Sequence, residues 1–225
     1  MCGRFALNVT SEDLSRIFDI EEVDAPPPRF NVAPTQEVAA ICREEGNPKN
    51  RLVKLHWGLV PSWAKDPAIG NKMINARAET IAEKPAFRSA VRKRRCLVLA
   101  SGFYEWDKAR GTRQPYWIHM AGGEPFGMAG IWESWRSPEG KGLESCAIVT
   151  TEANSLVAEI HDRMPVILSR ESWDVWLGPS PDGAALALLR PLDAARMAKY
   201  PVSRMVNNPR NDDPRCLERA EPAAP

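Results

Sequence analysis

Short apolar runs bounded by glycine or proline recur along the chain, and the 20 prolines repeatedly interrupt helix-length patterns. Runs rich in β-branched and aromatic residues predict strands over Val38–Cys42, Leu52–Trp57, Cys96–Ala100, Tyr116–Met120, Phe126–Trp132 and Cys146–Thr151. Helical patterns lie over Glu12–Phe18, Ala86–Lys93, Ala153–Ile160, Glu171–Trp176 and Ala184–Leu189. The first of these has Thr10 or Ser11 in position to cap it, and Pro26–Pro28 then enforces an extended loop. Strands and helices are mixed rather than alternating. The expected fold is therefore α+β, a single domain with a largely antiparallel, barrel-like β core flanked by short helices. This domain is expected to occupy residues 1–210, and the polar, proline-containing stretch Asn211–Pro225 to fray.

Composition narrows the function classes. With 225 residues, 44% hydrophobic and 26% charged, the chain reads as an ordinary globular protein. A net charge of +1 gives no global nucleic-acid signal, so any anion-binding surface must be local. There is no apolar run of about 18 residues, and the start MCGRFALNVT lacks a signal-peptide core, so a cytoplasmic location without membrane association is expected. The five cysteines are odd in number, scattered and never in C-x-x-C spacing, which argues against a disulfide framework and a metal site. No cofactor is expected either. Cys42, Cys96 and Cys146 sit in apolar runs and read as buried small hydrophobes. Cys2, followed by Gly3 and Arg4, stands apart.

Removal of Met1 would leave Cys2 with an α-amine and a thiol on adjacent carbons. An α-amine has a reference pKa of about 7.7–8.0, so part of it is neutral near pH 7. Such an amine condenses with an aldehyde to a Schiff base, and the thiol can then close onto the imine carbon as a thiazolidine. The plainer reading makes Cys2 a small residue at the start of a strand. In Gly102-Phe103-Tyr104-Glu105-Trp106, Glu105 is either a surface carboxylate or a pocket acid whose pKa is raised by desolvation. His161 follows a predicted helix in a loop stiffened by Pro165, where it can cap the helix or move protons near neutral pH. Asp162 or a backbone carbonyl is expected to fix its tautomer, while His56 and His119 read as structural. Asn75, Arg77 and Glu79 crowd one segment. Asn75 can orient an amine and Arg77 can hold a phosphate, or Arg77 and Glu79 form a surface pair. Arg88, Arg92, Lys93, Arg94 and Arg95 form a basic cluster that either tracks a phosphate backbone or is a solvated helix face. Trp63 follows proline in a polar loop, where an exposed aromatic can stack on bases.

Taken in order, these segments resemble the SRAP family, the SOS-response-associated peptidases that process abasic sites. The likeness runs nearly end to end through MCGRF, Phe30-Asn31-Val32-Ala33-Pro34, the W-G-x-x-P-x-W segment ending at Trp63, INARAET and GFYEW. It continues in IVTT with Glu152-Ala153, HDRMPVIL, Pro201-Val202-Ser203 and Val206-Asn207-Asn208. The resemblance implies a crosslink to an abasic site in single-stranded DNA through Cys2. Asn75 would position the amine, and Glu105 and His161 would handle protons. Arg77 and Arg163 would hold phosphates, Arg4 would help line the pocket, and Trp63 would stack or separate strands near the lesion. Family loops often carry two adjacent tryptophans, whereas Ala64 follows Trp63 here. The implied partner is single-stranded DNA containing abasic sites, bound by a monomer that is nucleoid-associated when on DNA.

Three rivals remain at this stage. Cys2 and His161 could form a thiol peptidase that removes Met1. A cysteine-first start also opens N-terminal-nucleophile amidotransferases, although this length has no room for an ammonia-accepting domain. The third is a DNA-binding module without catalysis.

Overall fold

The computed structural model describes residues 2–20, 24–43, 49–107, 113–179 and 183–220. Its strands are β1 (Phe5–Leu7), β2 (Arg29–Val32), β3 (Glu37–Cys42), β4 (Arg51–Trp57), β5 (Asn75–Arg77), β6 (Arg95–Ala100), β7 (Gly102–Trp106), β8 (Pro115–Met120), β9 (Phe126–Arg136), β10 (Gly142–Glu152), β11 (Arg163–Pro165), β12 (Ile167–Leu168) and β13 (Met197–Pro201). The α-helices are α1 (Ser11–Phe18), α2 (Arg88–Lys93), α3 (Ser155–Ala158), α4 (Trp173–Leu177) and α5 (Ala184–Ala187). No described helix is long and apolar enough to cross a membrane.

Strands β10, β4, β3, β6 and β9 pair in that order, and β9 pairs back onto β10 to close a barrel. The expectation of an antiparallel, barrel-like core holds, with β10 making the exceptions. Its Ser145 and Cys146 run parallel to His56 and Trp57 of β4, and its Ile148–Thr150 run parallel to β5. Past the barrel, Thr150, Thr151 and Glu152 pair antiparallel with Pro165, Met164 and Arg163 of β11. A second sheet has the order β13-β8-β7-β1-β2.

One buried cluster joins the barrel interior (Val98, Met128, Cys146, Ile148) to Phe5, Val32, Phe103 and Ile118 of the second sheet. Full burial of a side chain of this size stabilises by about 1.5–3 kcal/mol. The barrel's outer residues Leu97, Leu99, Ile131 and Val149 pack with Leu14, Phe18, Val91 and Trp176 of the helices. Helix α1 starts as its sequence predicts. The Thr10 hydroxyl accepts from Asp13 N and the Asp13 carboxylate accepts from Thr10 N, each at 3.0 Å.

The second sheet's other face carries Ala6, Tyr104 and Trp117, covered by Val202, Val206 and Cys216. This corrects the expected frayed tail, because order continues past Asn211 through Ala220 and only 221–225 lie outside the described residues. The polar residues that read as a tail are hydrogen-bond partners of β2. Asp212 accepts from the backbone N–H groups of Phe30 (2.5 Å) and Asn31 (2.9 Å) and from the Arg29 guanidinium. Fully buried Asn31 donates to the carbonyls of Val206 (3.2 Å), Asn208 (3.0 Å) and Asn211 (2.6 Å).

The basic cluster is partly structural. Arg95 turns inward and donates to the carbonyls of Val91 (2.7 Å), Arg92 (2.9 Å), Trp176 and Gly178. Arg94 pairs with Glu133, leaving Arg88, Arg92 and Lys93 exposed. His56 and His119 both lie in strands, with His119 Nδ1 2.8 Å from the Met120 carbonyl.

After β4 the chain turns at Gly58, whose φ of +143° suits glycine, and a Cβ there would lie 2.8 Å from the carbonyl oxygen of Gly70. This close approach seats the 3-10 helix Pro67–Lys72 against the end of β4. Gly58→Ala should therefore destabilise the protein by about 1–3 kcal/mol, read as a lower urea midpoint at unchanged slope. An unchanged midpoint would show that the approach is not tight.

Candidate functional site

Cys2 is held between two strands. Backbone pairing of Phe5 with Phe103, and Tyr104 N donating to Arg4 O at 2.9 Å, lay the N-terminal segment along β7. From the other side, Asn75 Nδ2 donates to the Cys2 carbonyl at 2.8 Å. Asn75 owes its place to the residue before it, since the Ile74 carbonyl accepts from Trp57 Nε1 (2.9 Å) and from Ile148 N (3.0 Å). Trp57 is itself fully buried against Phe5, with ring centroids 5.2 Å apart. The other end of the Asn75 amide, Oδ1, is buried with no hydrogen-bond partner among the described residues. An orphaned acceptor of this kind costs about 1–3 kcal/mol, and it leaves the amide able to receive a donor next to Cys2.

Glu105 follows the period-two alternation of β7. It shares a face with Phe103, which belongs to the same buried cluster as Cys2, while Tyr104 and Trp106 face the opposite way. Glu105 is 3% exposed, which removes the surface-carboxylate alternative. Burial, and then the negative charge of Glu105, push the Cys2 thiol well above the ordinary cysteine range. A thiol so placed stays protonated at neutral pH.

His161 ends the turn after α3, which Asn154 caps by accepting from Val157 N at 3.0 Å. Its backbone N–H donates to the Val157 carbonyl at 2.9 Å, so the residue closes the helix and also presents a ring. Ile160 and Met164, on either side, enter the cluster that contains Cys2. Asp162 reaches the ring as expected, its Oδ1 lying 3.0 Å from His161 Nδ1. The Arg163 backbone N–H also points at Nδ1 from 3.0 Å, so the same ring nitrogen faces an acceptor and a donor and Nε2 is left to face the site.

The expected phosphate-binding residues have separate fates. Arg77 is exposed at the end of β5, its backbone paired with Thr150. Arg163 comes to the same stretch of β10 from β11, and its guanidinium donates to Glu79 (2.6 and 2.9 Å) and to the Thr150 carbonyl (2.8 Å). The Arg77–Glu79 surface pair is thus replaced by an Arg163–Glu79 pair, which no local spacing could have revealed. Trp63 is 59% exposed on its turn. Ala64, by contrast, packs with Val60 and Trp135, and its carbonyl accepts from Trp135 Nε1 at 2.7 Å, so a second tryptophan has no room to point outward there.

Arg4 is a correction. Its guanidinium lies on the Tyr104–Trp106 face, donating to Asn31 Oδ1 and the Val206 carbonyl at 2.7 Å each and sitting 5.7 Å from the Trp106 ring centroid. Alternation along the strand carries it away from the side where Glu105 lies, so it belongs to the clasp that closes the second sheet. No cluster of metal-ligating side chains is present among the described residues.

Comparison with known proteins gives concordant matches. Residues 1–209 match the family described as SOS response associated peptidase (SRAP). The abasic site processing protein YoqW of Bacillus subtilis (strain 168) is 45% identical over 225 residues, covering 97% of this chain and 99% of the relative. The abasic site processing protein HMCES of Rattus norvegicus is 33% identical over 272 residues, covering 98% of this chain and 76% of the relative. A crystal structure of a protein from Bacteroides thetaiotaomicron superposes with a TM-score of 0.84 at 28% identity, covering 98% of this chain and all of that one.

The burial of Cys2 has a direct readout. In the folded protein, Cys2 should react with iodoacetamide at pH 8 at least about tenfold more slowly than an exposed cysteine, and urea should remove the difference. Peptide mass spectrometry at timed quench points measures both rates. Equal rates in the folded state would mean that the thiol is open and not held protonated.

Proposed function

We propose that this chain, which belongs to the SOS response associated peptidase (SRAP) family, processes abasic sites by crosslinking to them through Cys2 in single-stranded DNA. Met1 is removed first, so that the free α-amine of Cys2 and its thiol act together. The observation that carries the reading is the Asn75 amide, bound to the Cys2 carbonyl at 2.8 Å with its own oxygen left unpartnered. That oxygen is a ready acceptor for an N–H of the new amine, and holding the amine there directs its lone pair at an incoming aldehyde.

The chemistry follows from the protonation states. The buried thiol is a poor first nucleophile because it is kept protonated. The amine therefore attacks the ring-opened sugar aldehyde to give a carbinolamine. His161 and Glu105 shuttle the proton that lets the hydroxyl leave as water and forms the imine. The thiol then adds to the imine carbon. A C–S bond forms, the C=N bond becomes single, and the thiol proton passes by way of the neighbouring Glu105 carboxylate to the ring nitrogen. One water is lost in all. The imine also acidifies the adjacent C–H bond and opens β-elimination with strand cleavage, so ring closure suppresses a lyase reaction. Reversal uses the same proton carriers in the opposite order. Arg77 and Arg163 hold the backbone phosphates, and exposed Trp63 stacks on a base beside the gap.

The thiol-peptidase alternative is disfavoured on electrostatic grounds. A cysteine–histidine pair needs a thiolate stabilised by a cation, whereas Cys2 has a carboxylate beside it.

Protein with a free Cys2 amine should form, with an oligonucleotide carrying one abasic site, an adduct of the summed masses less one water on a denaturing gel and by intact mass. Cys2→Ser should keep an amine and some strand cleavage while losing the heat-stable adduct. A heat-stable adduct from Cys2→Ser would rule out thiazolidine closure. Asn75→Ala should slow adduct formation about a hundredfold, and a residue fused ahead of Cys2 should abolish it. The rate should rise with pH through about 7–8 as the amine loses its proton. A rate that falls over this range would point away from the amine.

A further inference from the structure

The Arg163–Glu79 pair stands apart from the surface ion pairs around it. It is a two-pronged contact, with Nη1 and Nη2 of Arg163 donating to the two carboxylate oxygens of Glu79 at 2.6 and 2.9 Å. A carboxylate seated in this way presents to the guanidinium fork the same two-oxygen edge that a phosphodiester presents. The partners are unequal. The Arg163 side chain is 15% exposed and keeps an independent anchor, Nη2 donating to the Thr150 carbonyl at 2.8 Å, whereas the Glu79 side chain is 50% exposed. Glu79 lies in the turn after β5, where Thr80 N donates to Arg77 O at 3.1 Å, so its side chain can swing into solvent without disturbing a strand. When it does, Arg163 stays in place.

We propose that Glu79 is a resident stand-in for a DNA phosphate. In the free protein it fills the Arg163 fork, and a backbone phosphate must displace it when a strand binds. The inference rests on the reading that Arg163 holds a phosphate. Its consequence is selectivity. Contact with an undamaged strand must overcome Glu79 and stays weak and short-lived, whereas a strand with an abasic site is retained by the covalent bond at Cys2. Glu79 is held in its charged form by Arg163 first and more weakly by Arg77, so it is already an anion at neutral pH. An ion pair with one half-exposed partner is weak enough to exchange in this way. Arg77 reaches the same stretch of β10 through its pairing with Thr150, so departure of Glu79 bares two cations side by side.

The test uses an undamaged single-stranded oligonucleotide, with anisotropy titrations over a range of KCl concentrations, for wild type, Glu79→Gln, Arg163→Ala and the double variant. Glu79→Gln should bind about fivefold tighter, whereas Arg163→Ala should flatten the plot of log K against log[KCl] by about 0.7, one phosphate fewer neutralised. In the Arg163→Ala background, Glu79→Gln should change neither affinity nor slope. If Arg163→Ala does not fold, Arg163→Lys keeps the charge without the fork and should at least halve the Glu79→Gln effect. Unchanged or weaker binding by Glu79→Gln, with a lower melting temperature, would make the pair a strut between β5 and β11 and overturn the inference. Tightening that persists at full size without Arg163 would overturn it as well, reducing it to removal of one negative charge. Wild-type crosslinking to an abasic oligonucleotide is measured alongside. Its absence defeats the crosslinking reading, whereas its presence with an inert Glu79→Gln defeats the stand-in alone.

Discussion

The eleven residues of β10 pair along both edges, and the rest of the molecule is arranged around that fact. On one edge β9 and then β11 are bound, and on the other β4 and then β5. Unpaired buried backbone groups are costly, so the buried stretch of this strand, residues 145–151, must find partners on both sides. The barrel supplies partners only as far as Ile148. Beyond it the remaining N–H and C=O groups recruit two three-residue strands, and these carry Asn75 and Arg77 on one side and Arg163, two residues past His161, on the other. Backbone pairing alone thus registers residues far apart in sequence, and no side-chain contact is needed to bring them together.

Charge is distributed in keeping with this plan. The inner end holds a protonated thiol, a buried carboxylate and an amide, groups whose interactions are strong because water is excluded. The outer end holds Arg77, Arg163 and Glu79, which remain within reach of solvent and of each other. A net charge of +1 fits the proposal that anion binding sits in a few positions and is partly neutralised from within.

The sequence made the barrel readable because each barrel strand carries a stretch of β-branched, aromatic and small apolar residues. Val38–Cys42, Leu52–Trp57 and Cys96–Ala100 differ from the observed strands by a single residue at the start. Of the strands it did not show, β1, β5, β11 and β12 have two or three residues, too short for any period to register, while β2, β7 and β13, with four or five, mix polar residues into their runs. Helices were placed correctly, and all but α1 were drawn long. Ala153–Ile160 contains only Ser155–Ala158, because Asn154 takes the capping role that the apolar pattern could not locate. Of the residues that the motif resemblance proposes for the site, the structure holds Cys2, Asn75 and Glu105 in one neighbourhood and turns Arg4 to the opposite face of the sheet. The resemblance was silent on Glu79, whose partner lies 84 residues away. Long-range pairing leaves no trace in local spacing. For the same reason the stretch after Asn211 read as a tail, since its polar residues match backbone groups of β2 that a sequence does not display.

The clasp between β2 and residues 206–212 also bears on when the protein becomes reactive. Domains fold as units as they emerge from the ribosome, and here Arg4 and Asn31 take their backbone acceptors from Val206, Asn208 and Asn211. During synthesis, β1 and β2 have no cover on one face until those residues emerge, and on the other face the cluster around Cys2 waits for Met197. On the proposed reading, a nascent chain that had lost its initiator methionine would carry an aminothiol that is chemically free but not aligned. Competence for the proposed chemistry would then be deferred to the last stage of folding, which would keep an aldehyde-reactive terminus from being armed on a half-made protein.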